Sequence, residues 1–122
     1  MAIQYSFSIE DELLVVTASG FDESLDEVLE YGMATIQAAL QGNCTAILSD
    51  ETGLEYRLGT FDTFKAAEAL ANYAPRLNKA AITCNPQYLQ DAQFWETVAV
   101  NRGLSVRAFL DIGAARSWLQ EA

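Results

Sequence analysis

Residues 45–73 read TAILSDETGLEYRLGTFDTFKAAEALANY, and the change of period inside this stretch decides the fold. TAILSD (45–50) is a short apolar run of the kind that fills a buried strand. FDTFKAAEALANY (61–73) spaces its apolar residues for one face of a helix. Between them lies the polar segment DETGLEYRLGT (50–60). Strand-to-helix connections usually take about 2–6 residues, so a loop over residues 51–60 is long. Loops held on a rigid scaffold are where binding residues collect.

The same alternation of period extends in both directions. Towards the N-terminus, Ile3, Tyr5, Phe7 and Ile9 alternate with polar residues as a half-buried strand, and LLVVTAS (13–19) reads as a more central one. The acidic tip Glu10-Asp11-Glu12 turns between them, which makes an antiparallel hairpin. Leu25, Val28, Leu29, Met33, Ile36 and Leu40 then fall on one helical stripe. Ser24 with Glu27 reads as a capping box, and Gly42 as the C-terminal stop.

Towards the C-terminus, Pro75 ends the second helix and KAAITC (79–84) is a strand. Asn85-Pro86 opens a helix bearing Leu89, Ala92, Trp95 and Ala99, because proline is tolerated at the first helical position. LSVRAFL (104–110) is the last strand, and Asp111 caps a closing helix. The order ββαβαβαβα predicts an α/β fold with a mostly parallel five-stranded sheet and an antiparallel N-terminal edge strand. At 122 residues, without repeat or linker, the chain reads as a single domain over 1–122.

Composition narrows the function classes. Hydrophobic residues make up 51% and charged ones 20%, so a packed core is expected. The net charge of −10 is uneven: residues 1–56 hold eleven acids and no Lys or Arg. Polyanions need cationic contacts, so neither nucleic acid nor an anionic membrane is an expected partner. Part of the acidity has a local reason, because Asp26, Glu27 and Glu30 complement a helix N-terminus. No apolar run approaches the roughly 18 residues of a membrane helix, and MAIQYSFSIEDE lacks a basic leader, so a cytoplasmic location is expected.

Histidine is absent, which removes the commonest general base and metal ligand. There is no P-loop and no G-x-G-x-x-G. The chain is therefore expected not to be an enzyme and to carry no metal or cofactor. A phosphorelay receiver would want an acidic pair after an early strand and a Lys after the last; Thr17-Ala18-Ser19-Gly20 and Phe109-Leu110-Asp111 fail both. Cys44 and Cys84 lie too far apart in a parallel arrangement for a disulfide. Cys84, before the Pro86 helix start, reads as a small buried hydrophobe or as a thiol activated by that helix.

In open α/β sheets, sites form beyond the carboxyl ends of the strands. That rule singles out Asp50, Glu51, Tyr56 and Arg57 in the long loop, with Asp62 in the following helical turn, as the surface meeting a ligand or partner.

The element order, the early hairpin and the polar loop after the third strand resemble the STAS domains, also called anti-sigma-factor-antagonist-like or SpoIIAA-like. FLDIGAARSWL (109–119) is also similar to the end of small bacterial STAS/SEC14-like proteins. The resemblance implies a binding module that works through protein partners or small ligands, and the first reading is a regulatory or scaffolding protein-interaction domain, self-association as a homodimer included. The resemblance also implies helices mostly on one sheet face. In the antagonist branch, a Ser or Thr after the third strand is phosphorylated to switch partners. The family string Asp-Ser-Ser-Gly-Leu aligns with Asp50-Glu51-Thr52-Gly53-Leu54 and places Thr52 on that position. Element order instead favours Thr60, capping the helix, or Thr63 in its first turn.

Two further readings stay open. One is a small-ligand pocket at the strand ends, with Arg57 clamping an anion and Tyr56 as a wall. The other is a degenerate enzyme whose turnover Asp50→Asn would remove.

Overall fold

The computed structural model describes residues 2–72 and 77–121. Strands β1 (Ile3–Glu10), β2 (Leu13–Phe21), β3 (Ala46–Glu55), β4 (Lys79–Cys84) and β5 (Val106–Phe109) form one sheet in the order β1-β2-β3-β4-β5. β1 pairs antiparallel with β2, and every other pair is parallel. Helices α1 (Leu25–Gln41), α2 (Thr60–Ala71), α3 (Leu89–Asn101) and α4 (Ile112–Gln120) alternate with the strands.

This topology follows from two rules. Each βαβ crossover is right-handed because a right-twisted strand feeding a helix returns to the sheet only that way. When successive strands also add on the same side, consecutive helices land on the same face. α1, α2 and α3 therefore share one layer, and α4, which follows the last strand, packs under β3, β4 and β5 on the other. Three of the four helices lie on one face, as the family resemblance implied.

The main core lies between the sheet and the three-helix layer. Leu14 and Val16 of β2 are fully enclosed there, with Ile3, Ile36, Ala39 and Ile47 around them. Side chains of this size contribute roughly 1.5–3 kcal/mol each when fully buried. A smaller core beneath the sheet joins Leu48, Ala81 and Ala115, with Trp118 and Phe109 packed against it. The alternation read in β1 holds at its start, where Ile3 is buried. Phe7 and Ile9 further along β1 stand exposed, Ile9 beside Gly42 at the end of α1.

The termini of the helices carry the expected chemistry in part. The Ser24 hydroxyl accepts from the Glu27 amide, which is half of a capping box. The Glu27 carboxylate accepts instead from the Ala2 and Ile3 amides and so anchors the start of β1. Asn85 caps a short 3-10 turn at Pro86–Tyr88, and α3 proper begins at Leu89. The Asp111 carboxylate accepts from the Ala114 amide, as expected of a cap. The role expected of Pro75 lies outside the described residues. Cys44 and Cys84 are both buried and free. Cys84 pairs with Glu51 across the β3–β4 ladder, far from the residues that precede β3.

The largest departure from the sequence reading concerns the quoted stretch itself. β3 does not stop at Asp50 but runs on to Glu55, and only residues 56–59 connect it to α2. The connector has ordinary length. What looked like a loop is a strand with a bulge. Thr17 of β2 faces Asp50, yet Ser19 faces Gly53, so β3 carries one extra residue there. A bulge of this kind breaks the period-2 alternation by which a strand is recognised.

Candidate functional site

The bulge decides which side chains of β3 meet the helix layer. Before it, Ile47, Ser49 and Glu51 face inwards, while Leu48 and Asp50 face the side of α4. After the extra residue the parity is reversed, so Leu54, 3% exposed, turns inwards, followed by Tyr56 and Leu58. A single inserted residue thus brings Glu51 and Leu54 to the same face. Were the same residues a regular strand without the bulge, Glu51 and Leu54, three positions apart, would point to opposite sides of the sheet.

Asp50 stitches the bulge from the outer side. One oxygen of its carboxylate accepts from the Thr52 hydroxyl at 2.7 Å, the Thr52 amide at 3.2 Å and the Thr83 hydroxyl at 3.0 Å. Burial pushes the carboxyl up, but the Thr52 and Thr83 hydrogen bonds outweigh it and hold Asp50 below its ordinary value of 3.8. A carboxylate held ionised by three donors is a structural acceptor rather than a general base. It stands in the middle of a strand, not at its end.

The four-residue connector is fixed by a residue that the sequence reading passed over. Asp22, 8% exposed, accepts from the backbone amides of Arg57 and Leu58 at 2.5 and 2.8 Å. Its own amide donates to the Glu55 carbonyl. The loop between β2 and α1 therefore holds the loop between β3 and α2. Burial raises the Asp22 carboxyl above its ordinary value, although the two backbone donors oppose the shift. The only sequence signal was an acid after Gly20-Phe21, indistinguishable from a helix cap.

Behind this connector lies a cavity of about 140 Å³ between the sheet and the helices. It exists because α2 rests chiefly on α1 and α3 and stands off the strands. α1 and α2 meet closely at Gly32, where a Cβ would lie 2.5 Å from a Leu70 methyl. Thr63, Ala66 and Leu70 of α2 roof the space, and Ile47, Ser49, Ile82 and Val106 floor it. At about 24 cal/mol per Å³, a cavity this large left dry forgoes about 3 kcal/mol of packing. That is a large fraction of the stability of a small domain.

One end of the cavity is polar. The Glu51 carboxylate accepts from the Tyr31 hydroxyl at 2.8 Å and from the Tyr56 hydroxyl at 2.5 Å. Desolvation pushes the Glu51 carboxyl above 4.5, the two phenols pull it back, and the negative charges of Asp22 and Asp50 add to the rise. Burial, then the Glu51 charge, lifts both phenols well above 10 and keeps them protonated donors. The Tyr56 ring packs on Tyr88 at 5.4 Å. Cys84 is also raised, first by burial and then by the Glu51 charge, so the helix at Pro86 does not activate this thiol.

Arg57 does not enter the cavity. Its guanidinium pairs with Glu55 at 2.8 Å and lies 3.8 Å over the Phe21 ring, on the outside of the connector. The structure therefore gives no support to an anion clamp at this position.

No protein-family model matches the chain, and no curated protein matches it. Solved structures do. An anti-sigma factor antagonist from Mycobacterium paratuberculosis superposes with a TM-score of 0.67 at 15% identity, over 98% of this chain and 95% of its own. A protein of the DUF3478 family with a SpoIIAA-like fold, from Shewanella loihica PV-4, gives 0.58 at 20% identity, over 97% and 94%. The chain has the SpoIIAA-like fold.

Within this SpoIIAA-like fold the three threonines have different surroundings. Thr52 sits in the bulge, exposed, its hydroxyl already given to Asp50. Thr63 is partly shielded and donates back to the Gly59 carbonyl at 2.9 Å. Thr60 is exposed as the first residue of α2. Gly59, not Thr60, occupies the N-cap position, with no side-chain cap. Asp62 lies in the same first turn, as expected.

Proposed function

We propose that this chain is a non-catalytic regulatory or scaffolding domain that docks a protein partner where β3 passes into α2. The observation that supports this is Phe61. It lies in the first turn of α2 and is 68% exposed, more than any other large hydrophobic among the described residues. Interfaces draw most of their binding energy from a few large side chains ringed by polar ones, and Phe61 supplies such a side chain for a partner to cover. Lys65 lies 4.4 Å from its ring, and Thr60 and Asp62 flank it in sequence. The likeness in fold to an anti-sigma factor antagonist points the same way.

Thr60 is the residue on which we place phosphoregulation. Its hydroxyl is exposed at a helix N-terminus, where a phosphate is favoured by the dipole and adds about −1.5 to −2 charges. That charge would fall beside Phe61 and change what docks there. Thr52 is disfavoured because phosphate would meet the Asp50 carboxylate, and Thr63 is partly shielded. A soluble location in the cytoplasm fits this role. No helix among the described residues is long and apolar enough to cross a membrane.

The test is affinity capture from the source cell with the wild type, Phe61→Ala and Thr60→Glu. The proposal expects a discrete partner that Phe61→Ala loses and whose recovery Thr60→Glu changes. A partner retained equally by all three would remove the site from α2. Turnover of any substrate abolished by Asp50→Asn would overturn the non-catalytic reading.

A further inference from the structure

The interior cavity is separate from the Phe61 surface, and its chemistry selects a ligand class. We propose that it binds a small apolar organic cation, a primary amine on a body of about benzene's size. The size comes from the volume: about 140 Å³ is close to the roughly 150 Å³ of an engineered apolar cavity that takes up benzene. The walls are mostly aliphatic, with Leu54, Leu70, Ile82 and Val106 among them.

The charge comes from the polar end. Asp22, Glu51 and Asp91 line the space, and among the described residues no Lys or Arg does. Each Glu51 oxygen accepts one phenol and keeps a lone pair for a further donor. An ammonium group supplies three donors from one point, which suits a carboxylate flanked by hydroxyl oxygens. Tyr31, Tyr56 and Trp95 also present aromatic rings to the cavity, and rings attract a cation at their faces. A carboxylate or phosphate ligand would meet three acids and, among the described residues, no counter-charge. A neutral ligand would leave the acid without a charged partner.

Asp91 is exposed on the first turn of α3 while still lining the cavity. The opening therefore lies at the carboxyl edge of the sheet, between α3 and the connector held by Asp22. An amine would be drawn in by the acid at the mouth and paired by the acid inside.

Titration of the ¹⁵N-labelled full chain with benzylamine, benzyl alcohol and benzoate, followed by NMR, tests this. Amide shifts are expected at Ile47, Ser49, Ala66 and Leu70. Benzylamine should bind about tenfold more tightly than benzyl alcohol, the factor that one extra charge-assisted contact supplies. Benzoate should cause no shift. Glu51→Gln should erase the preference for the amine and keep the binding of the alcohol. Equal affinity for amine and alcohol, shifts caused by benzoate, no shift with any probe, or shifts confined to the acidic outer surface would each overturn the proposal. The ranking is read on the wild type, so it stands even if Glu51→Gln does not fold.

Discussion

The Tyr31 hydroxyl on α1 donates to the Glu51 carboxylate on β3 across 2.8 Å. It ties the longest helix to the point where the strand carries its extra residue. Tyr56, beyond the bulge, donates to the other oxygen of the same carboxylate. One acid thus bridges the helix layer and both halves of the irregular strand.

The bulge should be sensitive to length more than to composition. Thr52→Ala removes one neutral donor to Asp50 and should cost about 1 kcal/mol. Inserting a second extra residue after Thr52 shifts the parity again and drives Leu54 off the core face. That change adds the burial of a leucine, about 2–5 kcal/mol, to the loss of the Tyr56 contact. Urea denaturation of the two variants should separate them by at least that difference.

Asp22→Ala leaves two backbone amides of the connector without an acceptor. The expected cost is about 1–3 kcal/mol. Hydrogen exchange should quicken at Arg57 and Leu58 before it does so in the core strands. Unchanged protection at these two amides would show that the connector is held by something other than Asp22.

Glu51 makes stability depend on pH with a definite sign. Its carboxyl is raised in the folded chain, so the native state holds the proton to higher pH than the unfolded state does. The associated stability is complete below the ordinary value of 4.5 and is lost as pH rises through the folded value. The groups facing Glu51 are Tyr31 from α1, Tyr56 from the connector, and the acids Asp22 and Asp50. Asp22 is raised and contributes the same slope, whereas Asp50 is lowered and contributes the opposite one. The wild-type curve is therefore a sum, and the difference from Glu51→Gln isolates one member. Thermal unfolding from pH 4 upwards should show the wild type losing stability relative to Glu51→Gln as the pH climbs. A constant offset between the two would mean that Glu51 is not shifted.

Much of the architecture was legible because it rests on local periods. The alternation of Ile3, Tyr5, Phe7 and Ile9, the stripe from Leu25 to Leu40 and the contrast between TAILSD (45–50) and FDTFKAAEALANY (61–73) are properties of neighbouring residues. They set strand and helix whatever lies elsewhere in the chain. The order of those elements, with right-handed crossovers, then yields the mostly parallel sheet, whereas the shared helix face came only from the family resemblance. The absence of histidine and the acidic first half were equally plain without coordinates.

The site was legible only by location. DETGLEYRLGT drew attention to the right segment, and Tyr56 and Glu51 do belong to a cavity wall. Their roles were hidden by register, because a strand's facing is set by its neighbours and one extra residue reverses it. Asp22 was hidden by distance, since its donors lie more than thirty residues away. Arg57 looked central because it is the first base in the chain, but in space its nearest partners are Glu55 and Phe21. Local order along the chain determined which elements form. Pairing across the sheet decided which side chains look inwards, and α2 standing away from the strands decided that there is a space for them to enclose.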